Sequence, residues 1–387
     1  MDSTFVYMDF NATTPLREEV KALMTESLDI YANASSMHEA GRGAAKRLEA
    51  AREEVARLVG AQAPDIIFTS GGSESNNMIF QTMLIEGPKR KRKGIIISAI
   101  EHPCVLNAAE ELERRGFTLR KIPVDDKGRL DLDAYRAALD SDTLLVSIMM
   151  ANNEIGTIQD VPLLAGLARD AGALFHTDAV QAAGKVPVDV NELGVDYLTL
   201  SAHKIYGPKG AGALWRRKKT PLEPLIRGGH QEHGLRAGTY NTTAIYGFGL
   251  AARLALEELP SYQQKLSSLR SRLRSGLLER VSNIRINGDD EHCIPNTLNV
   301  SFPGAEGEAI LLSLDLSGIA ASTGSACASG SLDPSHVLMA TGVGPELAHG
   351  SIRFSMGRTT TTADVDRILE VIPPVIARLR AMSTLTQ

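Results

Sequence analysis

From residue 66 to 217, short apolar runs alternate with stretches whose apolar positions repeat at helical spacing. The runs predict strands at Ile66 to Ser70, Gly94 to Ser98, Thr118 to Val124, Thr143 to Met150, Ala173 to Ala179, Tyr197 to Ser201 and Ala211 to Arg217. Amphipathic stretches at Val105 to Arg115, Leu132 to Leu139 and Val161 to Ala171 fall between them. Strands separated by helices predict an α/β architecture with a mainly parallel sheet, here of seven strands, covered on both faces. Ligands of such sheets bind beyond the carboxyl ends of the strands. Ahead of the sheet, Met37 to Gly60 reads as one long helix. After it, Ala244 to Val281 reads as a long helical region broken near Pro260, because proline removes a backbone donor and crowds the preceding turn.

The pattern then changes. Strands at Thr297 to Phe302, Gly318 to Ser322 and Ser351 to Met356, with helices at Gly307 to Leu316 and Ala363 to Met382, predict a smaller α+β domain. The boundary falls near Glu258-Leu259-Pro260-Ser261. This gives a large domain of residues 15–259 and a small one made of 1–14 and 260–387, carrying a loop at about 322–334.

Composition narrows the class. The chain has 387 residues, 43% hydrophobic and 22% charged, which suits a globular protein with a large core. A net charge of -5 gives no reason to expect nucleic acid or an anionic membrane as partner. There is no basic-then-apolar leader pattern and no long apolar span, so a cytoplasmic protein is expected. Cys104, Cys293 and Cys327 cannot form a fully paired disulfide framework and have no metal-ligand spacing. The basic run Lys89-Arg90-Lys91-Arg92-Lys93 reads as a solvated loop.

Three segments carry chemistry. In Ser201-Ala202-His203-Lys204, a lysine follows directly on an apolar strand. Burial there favours the neutral amine, which can condense with an aldehyde. In Thr177-Asp178-Ala179-Val180-Gln181, a carboxylate ends another strand. A lysine for the aldehyde and a carboxylate for a pyridine nitrogen are what pyridoxal phosphate requires. Gln181 offers a hydrogen bond to the ring phenolate, although Asp178 alone reads equally as a helix cap. Gly71-Gly72-Ser73 opens a helix after a strand and suits a phosphate, with Ser201 and His203 as further donors.

His102 follows the strand ending at Ser98 and offers ring stacking and proton exchange. Asn153, in the polar turn Asn152-Asn153-Glu154-Ile155-Gly156, offers an amide to substrate or cofactor, against a plain turn role. Arg353 in a short strand offers a fork for a carboxylate. Cys327 sits among Ser, Ala, Gly and Thr residues, the setting of a mobile, reactive loop thiol.

These segments resemble the cysteine desulfurases of the NifS/IscS type, a class V aminotransferase-like family. The resemblance runs from Tyr7-Met8-Asp9-Phe10-Asn11 through Glu101-His102-Pro103, Arg236-Ala237-Gly238-Thr239 and Pro295-Asn296-Thr297 to Ser351 to Arg358. It implies the fold type I of pyridoxal 5'-phosphate enzymes, the aspartate aminotransferase-like fold. It implies that Lys204 carries the cofactor, that Asp178, Gln181 and His102 hold its ring, and that Gly72, Ser73, Ser201 and His203 bind its phosphate. Thr239 would reach the phosphate from the neighbouring subunit of a homodimer. Asn153 and Arg353 would bind the substrate carboxylate, and Cys327 would take sulfur from L-cysteine and pass it to an acceptor such as an iron–sulfur scaffold protein. Ser325-Ala326-Cys327 resembles the subgroup with a long cysteine loop. Ser73 stands where many members have threonine, and the hydroxyl is retained. A selenocysteine lyase, a plain aminotransferase and a non-catalytic scaffold remain the alternative readings.

Overall fold

In the computed structural model, which describes residues 5–323 and 333–382, seven strands form one sheet. Their order across it is Ile66–Thr69, Gly212–Arg216, Tyr197–Ser201, Leu174–Asp178, Thr143–Ser147, Gly94–Ser98 and Thr118–Ile122. Every neighbouring pair is parallel except those of Gly212–Arg216, which runs antiparallel to both neighbours. The connection at 202–211 is too short for a parallel crossover, which takes a dozen residues or more, so the chain reverses. Five of the predicted strands come out slightly shorter than their apolar runs, while Gly94–Ser98 and Tyr197–Ser201 keep their bounds.

Alternate side chains fill two faces. Ile96, Phe68, Phe175 and Leu198 join a core with the helix Glu39–Leu58 and the first part of the helix Thr242–Arg280. Ile67, Ile95, Ile97 and Leu145 join a second core under the helices Gly72–Arg90 and Pro103–Arg114. Covering both faces puts six strand carboxyl ends along one open edge. Asp178 ends its strand there, Lys204 lies three residues past Ser201, and Gly71 follows the strand ending at Thr69.

The helix Thr242–Arg280 departs from expectation. It is one continuous helix with Pro260 inside it, not two pieces. A proline in a helix interior costs about 3 kcal/mol. Here packing on both sides outweighs that cost. Ala244, Phe248 and Ala252 are buried in the first core, and Leu266, Leu269, Leu273 and Leu277 are buried in another. That further core also takes Met8, Val300, Phe302, Phe354 and Ile372. It includes the three-stranded antiparallel sheet of Ser351–Ser355, Thr297–Ser301 and Arg285–Asn287. The strand Arg285–Asn287 had no signal in the apolar pattern. Val6–Tyr7 pairs in parallel with Ile319–Ala320, which ties the start of the chain to this region. No helix among the described residues is long and apolar enough to cross a membrane.

Candidate active site

Ten of the residues singled out in the sequence line one cavity of ≈ 630 Å³: Gly72, Ser73, His102, Asn153, Asp178, Gln181, Ser201, His203, Lys204 and Arg353. That is the size range of small-molecule and cofactor sites. Thr239 lies elsewhere, on a cavity of ≈ 240 Å³ with Ser70, Gly210, Glu232 and Arg236. Cys327 lies outside the described residues.

Lys204 sits in the short 3-10 turn Ala202–Lys204 that begins the reversal of the chain. Its Nζ donates to the carbonyls of Asn11 at 2.5 Å and Ala12 at 2.7 Å. Asp178 is buried and held from two directions: Oδ2 accepts from Asn76 Nδ2 at 2.7 Å, and Oδ1 accepts from the backbone of Val180 at 3.0 Å. These two donors fix the carboxylate's orientation at the edge of the cavity. Asn76 is given no role in the sequence reading. It lies one turn into the helix Gly72–Arg90, on the face that also carries Ser73, and only that helical offset from Ser73 hinted at it.

The start of that helix is built for an anion. Its capping residue is Gly71, which brings no side chain to the free backbone N–H groups of the first turn. Gly212 opposite leaves the space open, since a Cβ there would lie 2.5 Å from Gly71 Cα. A Cβ on Gly72 would come 3.0 Å from Val180 Cγ2. His203 adds an imidazole held neutral: burial first, then the Lys204 charge, bring its pKa down to about 4.

His102 caps the helix Pro103–Arg114. Its Nδ1 accepts from the backbone of Cys104 at 3.2 Å and lies 3.0 Å from Cys104 Sγ. In the neutral ring the proton therefore sits on Nε2. Burial lowers the His102 pKa, with Asp178 opposing and Lys204 assisting. Beside it, Glu101 is wholly buried and accepts at Oε1 from Ser98 Oγ at 2.5 Å and the backbone of Met149 at 2.9 Å. Burial lifts its pKa to about 8. Cys104, which lines the cavity, is lifted to about 12 by burial and then by Asp178, so it stays a thiol.

Arg353 is 2% exposed on the strand Ser351–Ser355. It donates to Asp9 Oδ1 at 2.8 Å and to the carbonyl of Asn153 at 3.0 Å. The two adjacent asparagines divide the alternatives left open by sequence. Asn152 does the turn work, its Oδ1 accepting from the backbones of Glu154 and Ile155 at 2.8 and 3.0 Å, while Asn153 lines the cavity.

Asn11 is the residue the sequence most underrated. Its Nδ2 donates to Thr297 Oγ1 at 2.8 Å and the Asn153 carbonyl at 3.0 Å. Its Oδ1 accepts from Asn296 and Lys185, both at 3.0 Å, and its carbonyl accepts from Gln181 and Lys204.

An amine, a fixed carboxylate, an uncapped helix start with hydroxyls beside it and a guanidinium thus border one space. The set suits pyridoxal phosphate: an amine for the aldehyde, an anion for the ring nitrogen and donors for the phosphate.

Comparison with known proteins agrees. The aminotransferase class-V family matches residues 6–368. A cysteine desulfurase from Cereibacter sphaeroides is 50% identical over 381 residues, covering 98% of this chain and 97% of that protein. The cysteine desulfurase IscS of Dictyoglomus turgidum is 48% identical over 383 residues, covering 99% and 97%. A solved NifS-like protein superposes with a TM-score of 0.91 at 39% identity, over 97% of this chain and 100% of that one.

Proposed function

Because the chain belongs to the cysteine desulfurases of the class-V aminotransferase family, we propose that it converts L-cysteine to L-alanine and leaves the sulfur as a persulfide on Cys327. The observation that carries this reading is the shared cavity of Lys204, Asp178, His102 and Arg353. The relatives named above are cysteine desulfurases, which favours this reading over the selenocysteine lyase, aminotransferase and scaffold ones.

Pyridoxal phosphate, when bound, supplies an electron sink for the bonds broken at the substrate's α and β carbons. Lys204 Nζ would hold its aldehyde carbon and would move the substrate α-proton. Asp178 keeps the ring nitrogen protonated, braced by Asn76. His102 would stack on the ring, and Gln181 would donate to its phenolate oxygen. Gly72, Ser73, Ser201 and His203 take the phosphate, with Thr239 added from the second subunit of a homodimer. Its place on a separate cavity of its own chain supports a role across an interface. Arg353 and Asn153 fix the substrate carboxylate.

Sulfur transfer needs no outside oxidant. The Cys327 thiolate attacks the substrate sulfur, an S–S bond forms, and the carbon–sulfur bond breaks with its electron pair going to carbon. A proton delivered to that carbon completes the methyl group of alanine. The persulfide then passes to an acceptor protein such as an iron–sulfur scaffold. We also assign residues 15–259 to a large cofactor-binding domain and 1–14 with 260–387 to a small one, on the strength of separate cores joined by one helix.

The test is sulfide and alanine release from L-cysteine with a reducing thiol, for wild type and Cys327→Ala. Equal amounts from wild type and loss of both in the variant, with the visible cofactor band retained, are expected. Undiminished turnover in Cys327→Ala would remove Cys327 from the reaction.

A further inference from the structure

Lys185 is 2% exposed, yet among the described residues it has no ion-pair partner. A buried lysine without a carboxylate is costly and needs an explanation. Among the described residues its Nζ donates to two amide oxygens, Gln181 Oε1 at 2.5 Å and Asn11 Oδ1 at 3.0 Å. Both acceptors border the site cavity, and Lys185 and Lys204 together border a smaller one of ≈ 20 Å³ with Arg17, Tyr206, Glu258 and Arg358. Burial holds the Lys185 pKa well below the usual lysine range, with the Lys204 and Arg353 charges pushing the same way. A neutral amine still has two N–H bonds for its two acceptors.

An amide has an oxygen end and a nitrogen end, and a donor at one end fixes which is which. With Lys185 on Oε1, Gln181 must turn its NH₂ away. One of those hydrogens goes to the Asn11 carbonyl at 2.9 Å. The second is left for a group in the cavity. A flipped amide would set Oε1 against the Asn11 carbonyl oxygen, a repulsive contact, and would take the acceptor away from the Lys185 N–H. Lys185 also fixes Asn11, whose carbonyl receives Lys204. A single buried amine thus orders both amides beside the reactive lysine.

We propose that Lys185 is a positioning residue for the desulfurase reaction, holding the Gln181 amide as a hydrogen-bond donor to the phenolate oxygen of pyridoxal phosphate. The assignment rests on the functional reading above, and goes beyond it by naming the residue that makes Gln181 a donor.

The experiment titrates pyridoxal phosphate into cofactor-free protein and follows the visible band of the bound cofactor with pH. Variants are Lys185→Met, Gln181→Leu and the double variant, each with a melting temperature. Loss of a donor to the phenolate raises the basicity of the chromophore. Lys185→Met is therefore expected to raise the apparent pKa of the band by about one unit and to weaken cofactor binding about tenfold. In the Gln181→Leu background the same substitution should change either quantity less than about twofold, since residues acting as a unit are not additive.

A lower melting temperature with an unmoved band titration would make Lys185 merely structural and overturn the proposal. So would a full shift in the Gln181→Leu background. If Lys185→Met does not fold, Lys185→Leu, which also removes the donor, is read instead: an upward shift supports the assignment and no shift overturns it. A wild type that acquires no visible band would overturn the functional reading itself.

Discussion

His102 does two jobs that can be separated. As the residue capping the helix Pro103–Arg114, it accepts the Cys104 backbone N–H at Nδ1. It also lines the cavity, where the proposed function gives its ring a part in the chemistry. Asparagine is a good capping residue and alanine a poor one, with about 1 kcal/mol between them. His102→Asn should therefore lose turnover by about a hundredfold or more while melting close to wild type. His102→Ala should lose both, and equal melting temperatures would show that the cap contributes nothing. His176 offers a pH readout. It is wholly buried between Ser147 Oγ at 2.8 Å and Thr199 Oγ1 at 3.1 Å, and burial brings its pKa down to about 3. Between that value and the unfolded value near 6.5, only the unfolded chain takes up the proton. Stability is present above about pH 6.5 and falls as pH drops. Glu101, raised to about 8, acts in the opposite sense, losing its contribution as pH rises from about 4.5 to 8. In His176→Gln, unfolding measured between about pH 6 and 4 should lose a slope of about 1.4 kcal/mol per pH unit relative to wild type. An unchanged slope would mean His176 is charged in the fold.

At the scale of elements, the sequence was legible where a run of one character ended in a residue of another. Asp178 and Lys204 stood out because apolar strands stop at them, and the structure puts both on the open edge of the sheet. Asn11, Asn76 and Lys185 did not, since one polar residue inside a turn or helix leaves no period to detect. Pro260 misled for a different reason: local propensity was overruled by cores at both ends of one helix. The same helix approaches Glu39–Leu58 through Gly249, where an added Cβ would lie 2.5 Å from Ala51 Cα. Alanine would gain about 1 kcal/mol in helix propensity. The obstacle is backbone, however, so overpacking of about 1–3 kcal/mol should win. Gly249→Ala is predicted to lower the melting temperature, and a rise would show that the two helices can move apart freely.

At the scale of the whole molecule, the site is a seam. Asn11 collects bonds from Lys204, Gln181 and Lys185 on the sheet side and from Asn296 and Thr297 on the other. Arg353 reaches the same cavity from the three-stranded sheet and bonds to Asp9 and Asn153. Residues far apart in sequence meet here because the chain start pairs with the region after residue 318. That closure could not be read from periodicity, since Val6–Tyr7 is too short to show one. A seam of this kind holds the substrate between a cofactor on the sheet and a carboxylate clamp on the other side. In the proposed reaction Cys327 collects the sulfur, while Cys104, which lines the cavity, is kept protonated by burial.

That division of labour is tested most directly by one turnover without an acceptor. Enzyme carrying pyridoxal phosphate is mixed with a single equivalent of L-cysteine, quenched by alkylation and digested, and the cysteine peptides are weighed. The account predicts one alanine per active site and the added mass of one sulfur on the peptide containing Cys327, with the Cys104 and Cys293 peptides unchanged. Alanine formed with no sulfur on Cys327, or with the sulfur on Cys104, would contradict it.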